Sequence, residues 1–242
     1  MSDKKITIGF DRYIERQWLD ETAEWVINGA IKEELHAHID DYLAPFINGD
    51  TSLRKTKNVL FGVWFKTDKK NQAFKEQAKA LYRTANSSEK LVIHWGLAVA
   101  SYPYFASVAR LIGRLFRLQD DIHSKELIRR TVEQHGDTES VRRAATRMLQ
   151  SLSQWGVLEA GEQSVFHLAS KNPVDNPELI TWLTGALFYS TDRQRYSIEE
   201  LVSDSAWFPF EVSTGFFDIT RSNLLEVVHQ GVADTLVAVK HG

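Results

Sequence analysis

The chain has no cysteine in its 242 residues, so it cannot form a disulfide or offer a thiolate to a metal ion. It also lacks the motifs G-x-x-x-x-G-K, G-x-G-x-x-G, G-x-S-x-G and H-E-x-x-H, which mark phosphate loops and common hydrolytic sites. No apolar signal core follows Met1. We therefore expect a non-enzymatic protein of the cytosol that uses no cofactor and no metal.

The longest segment without a formal charge, residues 91–109, approaches the length of a membrane span. Pro103 lies inside this segment, and proline ends or kinks a helix. The segment therefore predicts two buried helices that meet at Tyr102-Pro103-Tyr104. We expect no membrane partner.

Three helices and a hairpin are predicted between Ser107 and Ala169. Their sequences are SVARLIGRLFRLQ, SKELIRRTVEQHG and TESVRRAATRMLQSLSQWG, followed by VLEA and SVFHLA around Gly161. Ser124 suits the N-cap of the second helix and Gly136 its end, while Asp137 or Thr138 can cap the third. In the third helix one face is apolar and the opposite face carries long hydrogen-bond donors, including Gln154.

The run RMLQSLSQWGVLEAGEQSVFHL resembles the passage from recognition helix to wing in winged helix-turn-helix DNA-binding proteins. The resemblance covers about a quarter of the chain. It implies that the third helix lies in a DNA major groove, where Arg and Gln can pair with guanine and adenine edges. The residues with this implied role are Arg142, Arg143, Arg147 and Gln150. The wing departs from the family pattern, because its turn at residues 160–163 has an acid and no Lys or Arg.

Two further basic groups favour contact with DNA phosphates. Residues 51–83 hold nine basic and two acidic side chains, a net charge of +7. The predicted phosphate contacts in this block are Arg54, Lys55, Lys57, Lys69 and Lys70, with Lys75 and Lys79 also placed on the exposed face. The first helix of the motif adds a stripe formed by Arg110, Arg114 and Arg117. The alternative is that these cations are solvated or balance the acidic segments of the same chain.

A mainly α fold with three units is expected. Residues 1–103 predict a helical domain, residues 104–171 the winged helix-turn-helix, and residues 172–242 a small α+β unit with a terminal hairpin. In this last unit, FPFEV (residues 208–212) and FFDITRS (residues 216–222) also predict short strands. That last unit has a net charge of −6, which favours a protein partner or a homodimer contact over DNA. His36, His38 and Asp40 come nearest to a metal site, but a helix would turn His38 away from the other two.

The leading interpretation is a non-enzymatic protein that binds double-stranded DNA. The whole arrangement resembles DNA-binding accessory proteins of bacterial phage-defence systems of the BREX type. That resemblance implies an accessory or regulatory role. The main alternative is an adaptor that uses a winged-helix fold to assemble a larger complex, and a helical nucleic-acid enzyme is a third.

Overall fold

The computed structural model describes residues 7–212, 215, 217–230 and 234–240. The predicted mainly α fold is confirmed. The first half of the chain forms five helices within this described part: α1 (Arg16–Ile27), α2 (Lys32–Leu43), α3 (Asp50–Trp64), α4 (Gln72–Thr84) and α5 (Ser87–Ser101). Gly29 ends α1 with a φ of 88°. Asn86 begins α5 by accepting the Ser88 and Glu89 amides, and Glu89 bonds back to the Asn86 amide.

The charge-free segment forms two helices, as its sequence predicts. Pro103 is the first residue of α6 (Pro103–Phe116), a position whose N–H takes part in no helical hydrogen bond, so proline fits there at no cost. Helices α5 and α6 meet at 118°. Within the described residues, no single helix has the length and apolarity needed to cross a membrane; α5 and α6 reach them only when counted together across their bend.

The middle of the chain continues as β1 (Asp121–His123), α7 (Ser124–His135), α8 (Glu139–Gln154), β2 (Leu158–Ala160) and β3 (Val165–Leu168). The three strands form an antiparallel sheet in the order β1-β3-β2. The predicted helices and hairpin are present, and β1 is an addition that the sequence did not predict. Ser124 is the first residue of α7 and not its cap, whereas Thr138 caps α8 by accepting the Val141 amide at 3.2 Å.

The remaining elements are β4 (Asn172–Pro173), α9 (Pro177–Gly185), α10 (Leu187–Ser190), α11 (Ile198–Val202), β5 (Phe210–Glu211), β6 (Leu225–Gln230) and β7 (Asp234–Val239). Strands β6 and β7 form the predicted hairpin, whose turn at residues 231–233 lies outside the described residues. A strand predicted over residues 216–222 is wrong for its described part. There Asp218 accepts the Thr220 amide and starts a 3-10 helix, Ile219–Arg221. Of the strand predicted at residues 208–212, two residues pair, as β5.

The buried core is continuous across positions 103 and 171, the predicted unit boundaries. The Trp95 ring on α5 shows this most directly, because it belongs to the first predicted unit and its ring neighbours come from the other two. Its centroid lies 5.2 Å from Phe105 and 6.2 Å from Trp155. It also lies 5.5 Å from Phe208 and 5.7 Å from Phe210. The division into three units stays a prediction. In the structure, residues from all three predicted units pack into one hydrophobic core.

Helix α6 contacts the C-terminal segment closely at Gly113. A Cβ at this position would lie 2.0 Å from the backbone oxygen of Ser205. The absence of a side chain therefore lets α6 pack directly against the 3-10 helix Ser205–Trp207. This contact fixes the motif relative to the rest of the chain.

Candidate nucleic-acid interface

Helix α8 has the two faces that its sequence predicts. Its buried residues are Val141, Ala144, Ala145, Met148, Leu149, Ser151 and Leu152. Arg142, Arg147 and Gln150 are exposed, and Arg143 is half-buried. The structure therefore places the four predicted base-reading residues on the N-terminal and middle turns of one helix, three of them fully at the surface.

Three of these four side chains are already paired with neighbours. Arg142 makes a bidentate ion pair with Asp137, at 2.8 and 2.7 Å, which lowers the pKa of the Asp137 carboxyl. Arg147 donates to the side-chain oxygen Oε1 of Gln150 at 2.9 Å. This hydrogen bond holds the two side chains beside each other on the exposed face.

The C-terminal end of α8 is covered by the segment that leads into α1. The Ile14 amide donates to the Ser151 hydroxyl at 2.9 Å, and the Trp155 indole donates back to the Ile14 carbonyl at 2.9 Å. Gln154 accepts the Arg16 amide at 2.7 Å. Gln154 lies on the exposed face, as predicted, but its side-chain oxygen is already bonded to a segment distant in sequence, so only its N–H groups can serve a ligand.

The loop between β2 and β3 is short and exposed. Gln163 and Ser164 have φ values of 52° and 62°, which closes the hairpin tightly. Glu162 is its charged residue. The loop therefore offers no cation to a phosphate.

The arginine stripe on α6 divides between two environments. Arg110 donates from Nε to both carboxylate oxygens of Asp204 at 3.0 Å, and Arg117 donates to the Ser203 carbonyl at 2.6 Å. These contacts commit both guanidinium groups to the C-terminal segment. The ion pair with Asp204 favours the alternative that Arg110 balances the acidic part of the chain. Arg117 is exposed and bonds to a backbone carbonyl, so its predicted phosphate contact stays a prediction. Arg114 is exposed and forms no ion pair with the described residues, so its predicted phosphate contact stays a prediction.

The basic block of residues 51–83 is also divided. Lys57 pairs with Asp40 on α2. Arg54, Lys69 and Lys70 are exposed and Lys55 is half-buried, and none of these four makes an ion pair within the described part of the chain. We keep those four as predicted phosphate contacts.

Lys75 is buried, contrary to its predicted exposure, with only 1% of its surface accessible. Its ammonium donates to three carbonyl oxygens at the end of α3, those of Gly62, Val63 and Lys66, at 2.6 to 2.8 Å. These carbonyls have no partner within the helix, so Lys75 completes the C-terminus of α3 from the neighbouring helix α4.

Burial lowers the pKa of Lys75 to about 7, a change that Lys66 and Lys79 increase and Asp68 opposes. Between that value and the usual 10.5, the unfolded chain binds more protons than the folded one, so stability rises with pH. We expect the free energy of unfolding of the wild type, measured in urea, to rise by about 2 kcal/mol between pH 7 and pH 9 relative to that of Lys75→Met. Lys79→Met, on the same helix, should keep the wild-type profile. Parallel profiles for the wild type and Lys75→Met would contradict this prediction.

A second buried polar network links α1, α3, α4 and α5 around His94. The Trp64 indole donates to Nδ1 of His94 at 3.0 Å, so Nε2 carries the proton and donates to Asp20 at 2.9 Å. Tyr82 donates to the same Asp20 oxygen at 2.7 Å. Burial lowers the pKa of His94, which keeps the ring neutral. His94 is completely buried, and its hydrogen bonds hold the four helices together.

No group of three or more His, Asp or Glu side chains is placed to hold a metal ion among the residues that the structure describes. His36 stacks on Phe61 with ring centroids 4.7 Å apart, and His38 stacks on Trp25. The two histidines therefore face different neighbours.

In comparisons with protein-family models, curated protein sequences and solved structures, nothing matches this chain significantly. The functional argument therefore rests on the geometry described above.

Proposed function

We propose that this protein binds double-stranded DNA through the exposed face of α8 between Arg142 and Gln150 and catalyses no reaction. The observation that carries the proposal is the element order α6-β1-α7-α8-β2-β3 with the sheet order β1-β3-β2. This order supports the winged-helix resemblance, in which the third helix enters the major groove. Helix α8 occupies that third position and exposes Arg142, Arg147 and Gln150.

The exposed side chains have the chemistry that base reading requires. Arg147 can donate two hydrogen bonds to the O6 and N7 atoms of guanine, and Gln150 can pair with adenine. Arg142 lies in the first turn of α8 and would exchange Asp137 for a phosphate. Electrostatic repulsion between Asp137 and DNA would favour that exchange.

Most of the affinity would come from phosphate contacts outside α8. Arg54, Lys55, Lys69, Lys70 and Arg114 supply those contacts in the proposal. Because each neutralised phosphate releases counterions, binding should weaken steeply as salt rises. The chain's overall charge of −3 makes this local concentration of cations necessary.

The double variant Arg142→Ala/Arg147→Ala tests the proposal by fluorescence anisotropy on a labelled random-sequence duplex. We expect its dissociation constant to rise roughly 30- to 1,000-fold at low salt, since each of the two lost contacts costs about 1–2 kcal/mol. Arg193→Ala/Arg221→Ala is the matched control, because both arginines are exposed and each is paired with an acid. Absence of binding by the wild type at low salt, or equal loss in the control, would overturn the proposal.

An adaptor function is the second candidate, and one observation favours it. Leu118, two residues after the end of α6, is 80% exposed, and the β2–β3 loop has no cation. Such surfaces suit a protein partner better than DNA. A homodimer contact through the acidic C-terminal part belongs to the same proposal, and sedimentation velocity would test it. An accessory role in a phage-defence system rests on the whole-chain resemblance alone.

A further inference from the structure

A polar cavity of about 340 Å³ lies where α3, α5 and α6 come together with the turn between α3 and α4. Its lining includes Lys66, Lys70, Ser101, Tyr102 and Tyr189. Cavities that hold small molecules in proteins span roughly 300–1,000 Å³ and combine an apolar wall with a few polar groups. This cavity falls at the small end of that range and has both kinds of wall.

The cations at the cavity are available for a ligand. Lys66 and Lys70 are both exposed, and neither forms an ion pair within the described part of the chain. Asp68 is the acid among the lining residues described, and its carboxylate accepts the Asn71 amide at 2.9 Å. That hydrogen bond directs the carboxylate to the start of α4. The net charge of the side chains that line the cavity is therefore positive.

The N-terminus of α6 adds to the positive electrostatic potential at the cavity. Tyr102 and Pro103, which open the helix, both line the cavity. The helix has no side-chain cap and no acid in its first turn, so the positive end of its dipole is not compensated there. Helix ends of this kind favour anions.

Ser101 adds a polar side chain to the cavity wall. Its hydroxyl oxygen is buried and has no hydrogen-bond partner among the described residues. Because the oxygen itself is inaccessible, a ligand would bond to it only after the Ser101 side chain rotates towards the cavity.

We infer that this cavity binds a small organic phosphate between Lys66, Lys70 and the N-terminus of α6. Two ammonium groups and a helix end match the double negative charge of a phosphate monoester, for which lysine is a common partner. A bare phosphate ion would fill only a small part of the cavity. The organic part of the ligand would lie against the rings of Tyr102 and Tyr189. This inference does not depend on DNA binding by α8.

Isothermal titration calorimetry with AMP, inorganic phosphate and adenosine tests the inference on the full chain. We expect saturable binding of AMP, weaker binding of inorganic phosphate and none of adenosine. Lys66→Ala/Lys70→Ala should weaken AMP binding at least about 10-fold, since each lost charged contact is worth about 1.5 kcal/mol or more. Lys32→Ala/Lys125→Ala removes the same charge from exposed positions outside the cavity and should leave AMP binding unchanged.

The possible outcomes separate this site from the DNA surface. AMP binding that is lost only in the cavity variant supports the inference, whether or not the protein binds DNA. Equal binding of AMP and adenosine, or no binding of AMP and phosphate at 10 mM, roughly ten times a millimolar dissociation constant, overturns it. A third outcome also overturns the inference: the wild type does not bind AMP, and Lys66→Ala/Lys70→Ala loses binding to duplex DNA. The two lysines would then contact DNA phosphates and not a small ligand.

Discussion

Replacing Trp95 with Ala is expected to lower the free energy of unfolding by about 3–5 kcal/mol, the usual cost of truncating a buried Trp. The side chain is completely buried, and its ring contacts four aromatic rings from the other two predicted units of the chain. Its indole N–H also donates to the Ala206 carbonyl at 3.0 Å. The substitution therefore opens a cavity and leaves that carbonyl without its partner.

Urea unfolding followed by far-UV circular dichroism and by tryptophan fluorescence measures this effect. Trp95→Phe should cost less, about 1–3 kcal/mol, because it keeps a ring and loses the hydrogen bond. Trp25→Ala is the matched control, since Trp25 is only half-buried and stacks on His38 at the periphery. The two signals should coincide in the wild type, because the core is continuous. Separate transitions, or a small effect of Trp95→Ala, would contradict this account.

Replacing Asp20 with Ala has the second large expected effect, about 2–3 kcal/mol of stability at pH 7. Two hydrogen bonds to a charged acceptor are lost, those from His94 and Tyr82, and each such bond is worth about 1.5–3 kcal/mol before the part exposure of Asp20 reduces it. The loss also leaves the buried His94 N–H without its acceptor. Asp40→Ala, which removes a more exposed ion pair with Lys57, should cost no more than about 1 kcal/mol.

The effect of Asp20→Ala should also depend on pH. Burial alone would raise the pKa of Asp20, but the hydrogen bonds from His94 and Tyr82 and the charge of Arg16 outweigh it and lower the pKa below 3.8. The carboxylate therefore stabilises the fold fully above pH 3.8, and this contribution is lost as pH falls through the lowered value. The stability difference between wild type and Asp20→Ala should shrink as the pH falls from 7 towards 3. A difference that stays constant over this range would contradict the ionised network.

The sequence predicts those parts of the fold that local signals determine. Pro103 separates α5 from α6, Gly136 ends α7 and Thr138 caps α8, and each acts on its own neighbours in the chain. Strand β1 has no such signal. Its three residues include a single buried side chain, Ile122, and the strand exists because it pairs with β3.

The candidate site shows the same limit more strongly. The sequence identifies the exposed face of α8, but it does not show which polar side chains are already hydrogen-bonded within the protein. Gln154 is bound by a segment 138 residues earlier, and Arg110 by Asp204, 94 residues later. Lys75 has the pattern of a surface lysine, and only the fold brings the end of α3 to its ammonium. Helical periodicity cannot predict contacts between residues so distant in sequence.

The covering of the C-terminal end of α8 limits how much sequence information one molecule can extract from DNA. The exposed predicted readers, from Arg142 to Gln150, span nine residues, or about 13 Å of helix at 1.5 Å per residue. Base pairs are spaced by about 3.4 Å, so this length faces about four of them. A four-base-pair word recurs by chance about every 256 positions in random sequence, at four bases per position. Under the proposed function, a single copy would therefore act on DNA almost anywhere, and selectivity for one locus would require several copies or a second DNA-reading partner.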